Sequence, residues 1–296
     1  MENNIGSCTD SRYAYYVKII LIMYDMFIGP AGYPKPWLLF WISAIIAHGY
    51  MDVTFYRKWQ KWSLKPAQKP IVRNGKLHIV KIWFAEVLCQ RQLFGLSFFR
   101  WFVHILIFWG FLGLAFLSIT TVILRPLGYL GIDGGLAGFF LYGSGHAFIK
   151  IWGDSFGLAL LIGLLAVVLR RSLMQPAQLV NNQIDVILVV FLLWLTISGF
   201  FLEGLRLSLA PADLARYSFV GRLFILPGAY TAAQLKPWLT TAWTLHALSS
   251  VSLLAYLPYS KLMHSLLAPL VIAMNAEEEQ DRKDIYWPDI KKHRAT

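Results

Sequence analysis

The hydrophobic positions of this chain are not spaced as one face of a helix or as alternate residues of a strand. They come in continuous runs, and a run of about 20 mostly apolar residues is what a helix needs to cross a bilayer. Four runs meet that length plainly: Trp37–Phe55, Trp101–Ile123, a stretch centred on Phe156–Leu169 that must begin near Ile149, and Ile184–Leu202. Charges end them: Arg57, Lys58 and Lys61 after the first, Arg125 after the second, Arg170 and Arg171 after the third, Glu203 and Arg206 after the fourth. A fifth run, from about Thr240 to Met274, is longer than a bilayer requires and is punctuated by Pro258 and Pro269. Its lower part is expected to kink or to extend past the lipid. A further segment, Tyr13–Gly29, is apolar but carries Lys18 and Asp25. It is either a sixth crossing or an interfacial helix. Charge inside its apolar run, and no small-residue cleavage site after it, argue against a signal peptide.

The expectation is an all-α integral membrane protein: a bundle of five core transmembrane helices, six in total if Tyr13–Gly29 also spans. The domain layout is an N-terminal segment 1–36, a membrane domain 37–274 with a loop at 57–100, and a charged tail 275–296. No internal repeat is visible, and no gap would hold a second globular domain.

Composition agrees. Of the 296 residues, 57% are apolar and 15% charged, and the mean hydropathy is +0.54. Soluble domains are nearer ~45–50% apolar and ~25% charged. Disorder and an ordinary soluble enzyme are excluded, and the net charge of +11 reads as membrane orientation rather than as a nucleic-acid footprint. The loop 57–100 holds ten Lys or Arg against one acid, Glu86, and the tail after Met274 holds five basic residues. The loops 125–152 and 206–239 hold two and four. By the positive-inside rule the first group, and with it the C-terminus, faces the cytoplasm. The membrane is then expected to be a cytoplasmic (inner) one. Within the basic loop, Lys76–Gln92 has the mixed pattern of an amphipathic helix that lies on lipid or docks a partner.

Seven histidines are present, and those in or near spans draw attention because ionisable groups in a membrane usually have a use. His246 and His264 are 18 residues apart. On an unbroken helix that is five full turns, one face and ~27 Å along the axis. This is the spacing of axial ligands to two stacked haems. His104 matches His264 in depth and is its expected partner. The outer ligand, His246, finds no second histidine between Ile105 and Arg125. His146 is the best remaining choice, and His48, nearer mid-membrane, fits less well. Gly110, Gly113, Gly143 and Gly145 would let a porphyrin approach, or would serve close helix packing. Glu203 and Arg206, three apart on one face, and Asp154 could move protons for a quinone, or could be structural ion pairs. Two cysteines, Cys8 and Cys89, cannot hold an iron–sulfur cluster by themselves.

The segment HALSSVSLLAYLPYSKLMHSLLAP, from His246 to Pro269, resembles the last helix of the gamma subunit of respiratory nitrate reductase. Its Pro258, Ser260, Leu262, His264 core is the most specific part. Gln90–Leu114 is similar to the second helix of that superfamily. It looks closer still to the b-type cytochromes of heterodisulfide reductase and of sulfite-reduction-associated complexes, as does the block from Asp154 to Arg206. The resemblance covers about residues 80–274. It implies that His104, His246 and His264 are haem ligands. One departure is Leu114, where the nitrate reductase subunit has a histidine. The resemblance further implies haem b, two groups or one, and a quinone-linked electron carrier. Its partner would be a cytoplasmic iron–sulfur subunit, with further membrane or periplasmic subunits as an option. A monohaem cytochrome, a haem-free anchor and a transporter are the competing readings.

Overall fold

In the computed structural model of the chain, residues 37–63, 76–129, 135–141, 145–174, 183–209, 215–228 and 230–275 are described. The segments 1–36 and 276–296 lie outside these, and so do the expectations placed on Tyr13–Gly29 and on most of the charged tail. The described residues form helices joined by turns and short irregular connections, with no strand among them. The helices are α1 (Trp37–Ser63), α2 (Lys76–Trp83), α3 (Arg91–Leu96), α4 (Phe98–Tyr129), α5 (Leu136–Leu141), α6 (Gly145–Met174), α7 (Gln183–Leu207), α8 (Ala232–Tyr256) and α9 (Met263–Asn275). Residues Phe84–Leu88 prolong α2 as a π-helical turn, which carries the expected Lys76–Gln92 helix almost to its end.

Among the described residues three helices are long and apolar enough to cross a membrane: α4 over Phe98–Thr121, α6 over Gly145–Leu173 and α7 over Ile184–Leu207. Only 17%, 28% and 17% of their apolar windows are buried within the protein. The remainder is half-buried or exposed, and its exposed part includes Phe116, Ile119, Leu165, Ile187 and Trp194. Apolar surface of that extent needs lipid or a partner to cover it. Helices α1 and α8, at 27 and 25 residues, have the length. Their polar positions, such as His48 and Asp52 in α1 and the Thr and Ser residues of α8, leave them less apolar. The finding is therefore an all-helical, multi-pass membrane protein with three strong spans. Hydroxyls within the apolar helices satisfy themselves: Thr120, Thr121, Ser155, Thr196, Thr244 and Ser252 each donate to the carbonyl four residues back. That is how a hydroxyl is tolerated without water.

The chain divides into two compact units. The first takes described residues 37–47, Gly110–Leu161 and Phe191–Ser252. Its packing depends on glycine. A Cβ on Gly110 would stand 2.6 Å from the Leu160 backbone nitrogen, and one on Gly113 would enter the Phe156 ring. The helices α4 and α6 therefore touch backbone to backbone, and of the two readings of these glycines the structure supports helix packing. A Cβ on Gly145 would meet Phe139, while Gly143 lies outside the described residues. Leu202, Trp243 and Ala247 form a buried cluster with Phe40, Leu239 and Ala242 against it.

The second unit takes His48–Trp109, Ile162–Val190 and described residues 253–275. Here α8 ends at Tyr256, and Leu257–Tyr259 form a 3₁₀ turn. Ser260 is extended, and α9 begins at Met263. The expected kink at Pro258 is thus a complete break. The equal-face relation between His246 and His264 assumed an unbroken helix, and six non-α residues at 257–262 remove that assumption.

Candidate functional site

Three residues of the break, Pro258, Ser260 and Leu262, and His264 just after it make up the core of the segment that carried the resemblance, and each has a physical task. Pro258 is buried; its missing N–H and its ring stop α8. Its carbonyl, which has no helical donor, accepts from the Lys58 ammonium of α1. Ser260 starts the next element: its Oγ accepts from the Leu262 N–H at 3.2 Å, and its carbonyl accepts from the Met263 N–H at 3.2 Å. This is the capping chemistry of a helix start. Leu262 is buried and anchors the turn. His264 then falls in the first turn of α9, where its Nδ1 hydrogen-bonds the Lys261 carbonyl. Lys261 itself forms an ion pair with Asp185 of α7 at 2.6 Å.

His104 stands in the second turn of α4. Its Nδ1 lies 2.7 Å from Oε1 of Gln90. The two rings, His104 and His264, have centroids 6.0 Å apart with planes inclined at 51°. His104 is half-buried and His264 exposed, which leaves the pair open along one flank.

That geometry fits axial ligation of haem iron. An imidazole nitrogen bonds a metal at about 2 Å and its ring centre lies roughly 1 Å further back, so two imidazoles on opposite sides of one iron have centres about 6 Å apart. An oxygen acceptor on each Nδ1 makes that nitrogen the N–H donor. The lone pair is then left on Nε2 of both rings, which is the tautomer that hydrogen-bond partners of ligating histidines characteristically fix. Among the described residues no three or more His, Cys, Asp or Glu side chains converge, but a haem asks for only two axial side chains.

The other expected site residues belong to the first unit. His246 of α8 hydrogen-bonds Oγ of Ser198 on α7 through Nδ1 at 2.9 Å. Beside it, a Cβ on Gly199 would stand 3.4 Å from Cε1 of His246. A small residue therefore flanks this ring on the α7 side. Arg206 is within electrostatic reach of His246. His146 is the second residue of α6, its ring half-buried. Glu203 forms an ion pair with Lys150 of α6, both side chains largely buried. Asp154 is 4% exposed, and its Oδ2 accepts from the Ser218 hydroxyl at 3.1 Å, the Val220 N–H at 2.6 Å and the Gly221 N–H at 3.2 Å. It holds the 3₁₀ turn Gly221–Phe224 in place. His48 lies 3.7 Å from Asp52 on its own helix, both exposed.

Sequence reasoning missed Gln90, Ser198 and Lys58. Each acts on a residue 14 to 200 positions away, and no local pattern marks such pairings. A polar residue facing an apolar run was the only available signal.

Comparison with known proteins bears out the resemblance. Residues 139–276 match the nitrate reductase gamma subunit family. One subunit of dihydromethanophenazine:CoB–CoM heterodisulfide reductase, that of Methanosarcina thermophila, is 27% identical over 236 residues, 75% of each chain. Its counterpart from Methanosarcina barkeri is 28% identical over 224 residues, 75% of this chain and 74% of that one. The one from Methanosarcina acetivorans is 28% identical over 207 residues, 67% and 66%. No solved structure matches.

Proposed function

On the premise that the chain belongs to the nitrate reductase gamma-subunit superfamily, on its heterodisulfide reductase branch, we propose that it is the haem b membrane subunit of a quinone-linked oxidoreductase complex. It passes electrons between membrane quinone or quinol and a cytoplasmic iron–sulfur partner. The observation that carries this reading is the His104–His264 pair, 6.0 Å between ring centres with both Nδ1 atoms occupied by oxygen acceptors. Haem b, when bound, supplies reversible one-electron transfer at its iron. The chain's part is to present two imidazoles at a fixed separation, each with its Nδ1 held by an oxygen acceptor.

A second haem belongs at His246, with His146 as its other ligand in place of the residue that Leu114 replaces. The Ser198 contact on His246 and the small Gly199 beside it support this. The proton work of the outer quinone falls to Glu203 and Arg206. The three donors on Asp154 favour a structural duty for that carboxylate. The full architecture is five core helices, six with Tyr13–Gly29, and a cytoplasmic C-terminus in the cytoplasmic membrane.

A specific cleft favours a second location for the quinone. In the second unit an apolar cleft of about 340 Å³ is lined by Met51, Asp52, Phe55, Leu257, Pro258, Met263, Pro269 and Leu270. Met263 adjoins His264, and Asp52 is the single carboxylate of the lining. The test is stopped-flow reduction of the oxidised protein by a short-chain quinol, followed at the haem α-band. The outer assignment predicts that Glu203→Gln slows reduction at least tenfold while Asp52→Asn does not. The reverse ranking moves the quinone to the cleft. No reduction of the wild-type protein by any quinol would sink the quinone-linked reading.

A further inference from the structure

The strongest observation that this reading leaves unused is the conformation of Gln90. Among the described residues it is the one non-glycine with positive φ, at φ 50° and ψ 47°. It is 9% exposed although it sits in the turn between two short helices. A left-handed glutamine persists only where its surroundings over-determine it, and here they do. The Cys89 N–H donates to the Phe84 carbonyl at 3.1 Å, and the Phe94 N–H donates to the Gln90 carbonyl at 3.1 Å. The two residues before Gln90 are gripped by indoles of α4. Trp109 Nε1–H donates to the Leu88 carbonyl at 3.2 Å, and Trp101 Nε1–H donates to the Cys89 carbonyl at 2.8 Å. These tryptophans lie five residues after and three before His104 on the same helix. The outcome is one aimed atom, Gln90 Oε1, 2.7 Å from His104 Nδ1.

We propose that Gln90 is the positioning residue of the His104–His264 site. It fixes the tautomer and plane of His104 and sets the donor strength of His104 toward the metal, and hence the metal's reduction potential. The inference rests on the haem reading of that pair. An amide oxygen can only accept, so Nδ1 carries the proton and Nε2 presents its lone pair. The stronger the acceptor on Nδ1, the more imidazolate-like the ring becomes and the better it stabilises the oxidised metal. The other ligand, His264, leans on a main-chain carbonyl that no side-chain replacement alters. Gln90 is therefore the one of the two contacts that sequence can tune.

The test uses the purified full-length holoprotein and two variants of similar size. The haem concerned is identified as the one lost in His104→Ala, and its midpoint potential is read by optical redox titration, with the ferric low-spin EPR signal alongside. Gln90→Glu, which offers a stronger acceptor, is expected to lower the potential. Gln90→Leu, which offers none, is expected to raise it and to broaden the EPR signal. Gln92→Leu, two residues on and exposed, is expected to leave both unchanged. Opposite shifts from two similar-sized residues are not what general loosening of the loop produces. If the Gln90→Leu protein sheds the haem, the downward shift in Gln90→Glu alone still supports the inference. Equal or same-signed shifts in both variants, with the haem in place, overturn it. A wild-type protein whose haem content is unaffected by His104→Ala overturns the underlying reading and this inference with it.

Discussion

Asp154 and His104 show how much a single side chain's partners decide. Both are polar groups in a predominantly apolar chain, and from sequence alone each has a functional reading beside a structural one. The partners separate them. Asp154 fills one carboxylate oxygen with three donors from 218–221, which is what anchoring a loop requires. Asp154→Leu leaves those three donors buried without an acceptor, at ~1–3 kcal/mol for each group and less than additively. The expected result is a clearly lowered thermal midpoint in detergent, with haem per chain unchanged below the transition. Unchanged stability together with slowed reduction by quinol would instead return Asp154 to proton handling. Glycine is decisive at the same scale. Gly110→Ala places a methyl 2.6 Å from the Leu160 backbone, where neither partner is a flexible side-chain end. Overpacking of this kind costs about 1–3 kcal/mol, so a measurable drop in melting temperature is expected, and none would mean that α4 and α6 are not in backbone contact there.

At the scale of elements, the break between α8 and α9 is the feature on which the site turns. In the break the Lys261 carbonyl meets both the backbone N–H and the Nδ1 of His264; continuing α8 through 257–262 would pass it to the N–H of Ser265 four residues on. Ser260→Ala removes the cap, worth about 1 kcal/mol, or roughly a fivefold change in an equilibrium. Haem is therefore expected to leave the His104–His264 site several-fold faster, measured as transfer to an apo-haem acceptor, while the rate from the other site stays the same. Equal rates in wild type and variant would deny the cap its role. The same element shows what a sequence makes legible. Helices α4, α6 and α7 could be read directly, because twenty or so consecutive apolar residues leave a helix few alternatives in lipid. The kink at Pro258 was legible from proline's missing donor, but its extent was not, since Ser260 and Lys58 answer backbone groups that are left open only once the helix has stopped. The closeness of His104 and His264, 6.0 Å between ring centres, was legible from their matched depth. The straight-helix arithmetic linking His246 to His264 was not sound, because it had no term for the break. Gln90 could not be read at all: its task exists only after two tryptophans on α4 have fixed the turn that carries it.

For the whole molecule, two properties dominate, the outward apolar surface and the uneven charge. Exposed large hydrophobics run along every long helix, and the surplus of positive charge is concentrated in the loop 57–100, with ten Lys or Arg against Glu86 alone. A protein of this kind is oriented by its basic loops. A reporter active only in the cytoplasm, fused after Thr296, is therefore expected to be active, and one active only outside to be silent. The opposite pattern would invert the assignment of both haem sites to their sides. A chain that brings two histidines to ligand separation in one unit, and offers His246 and His146 in the other, makes a countable claim about its cofactor. The most direct check is haem per chain by pyridine haemochrome absorbance, on wild type and on His264→Ala. Two haems b are expected in the wild type and one in the variant, with the missing haem the same one lost in His104→Ala. A wild type without haem, or a variant that keeps its full complement, would contradict it.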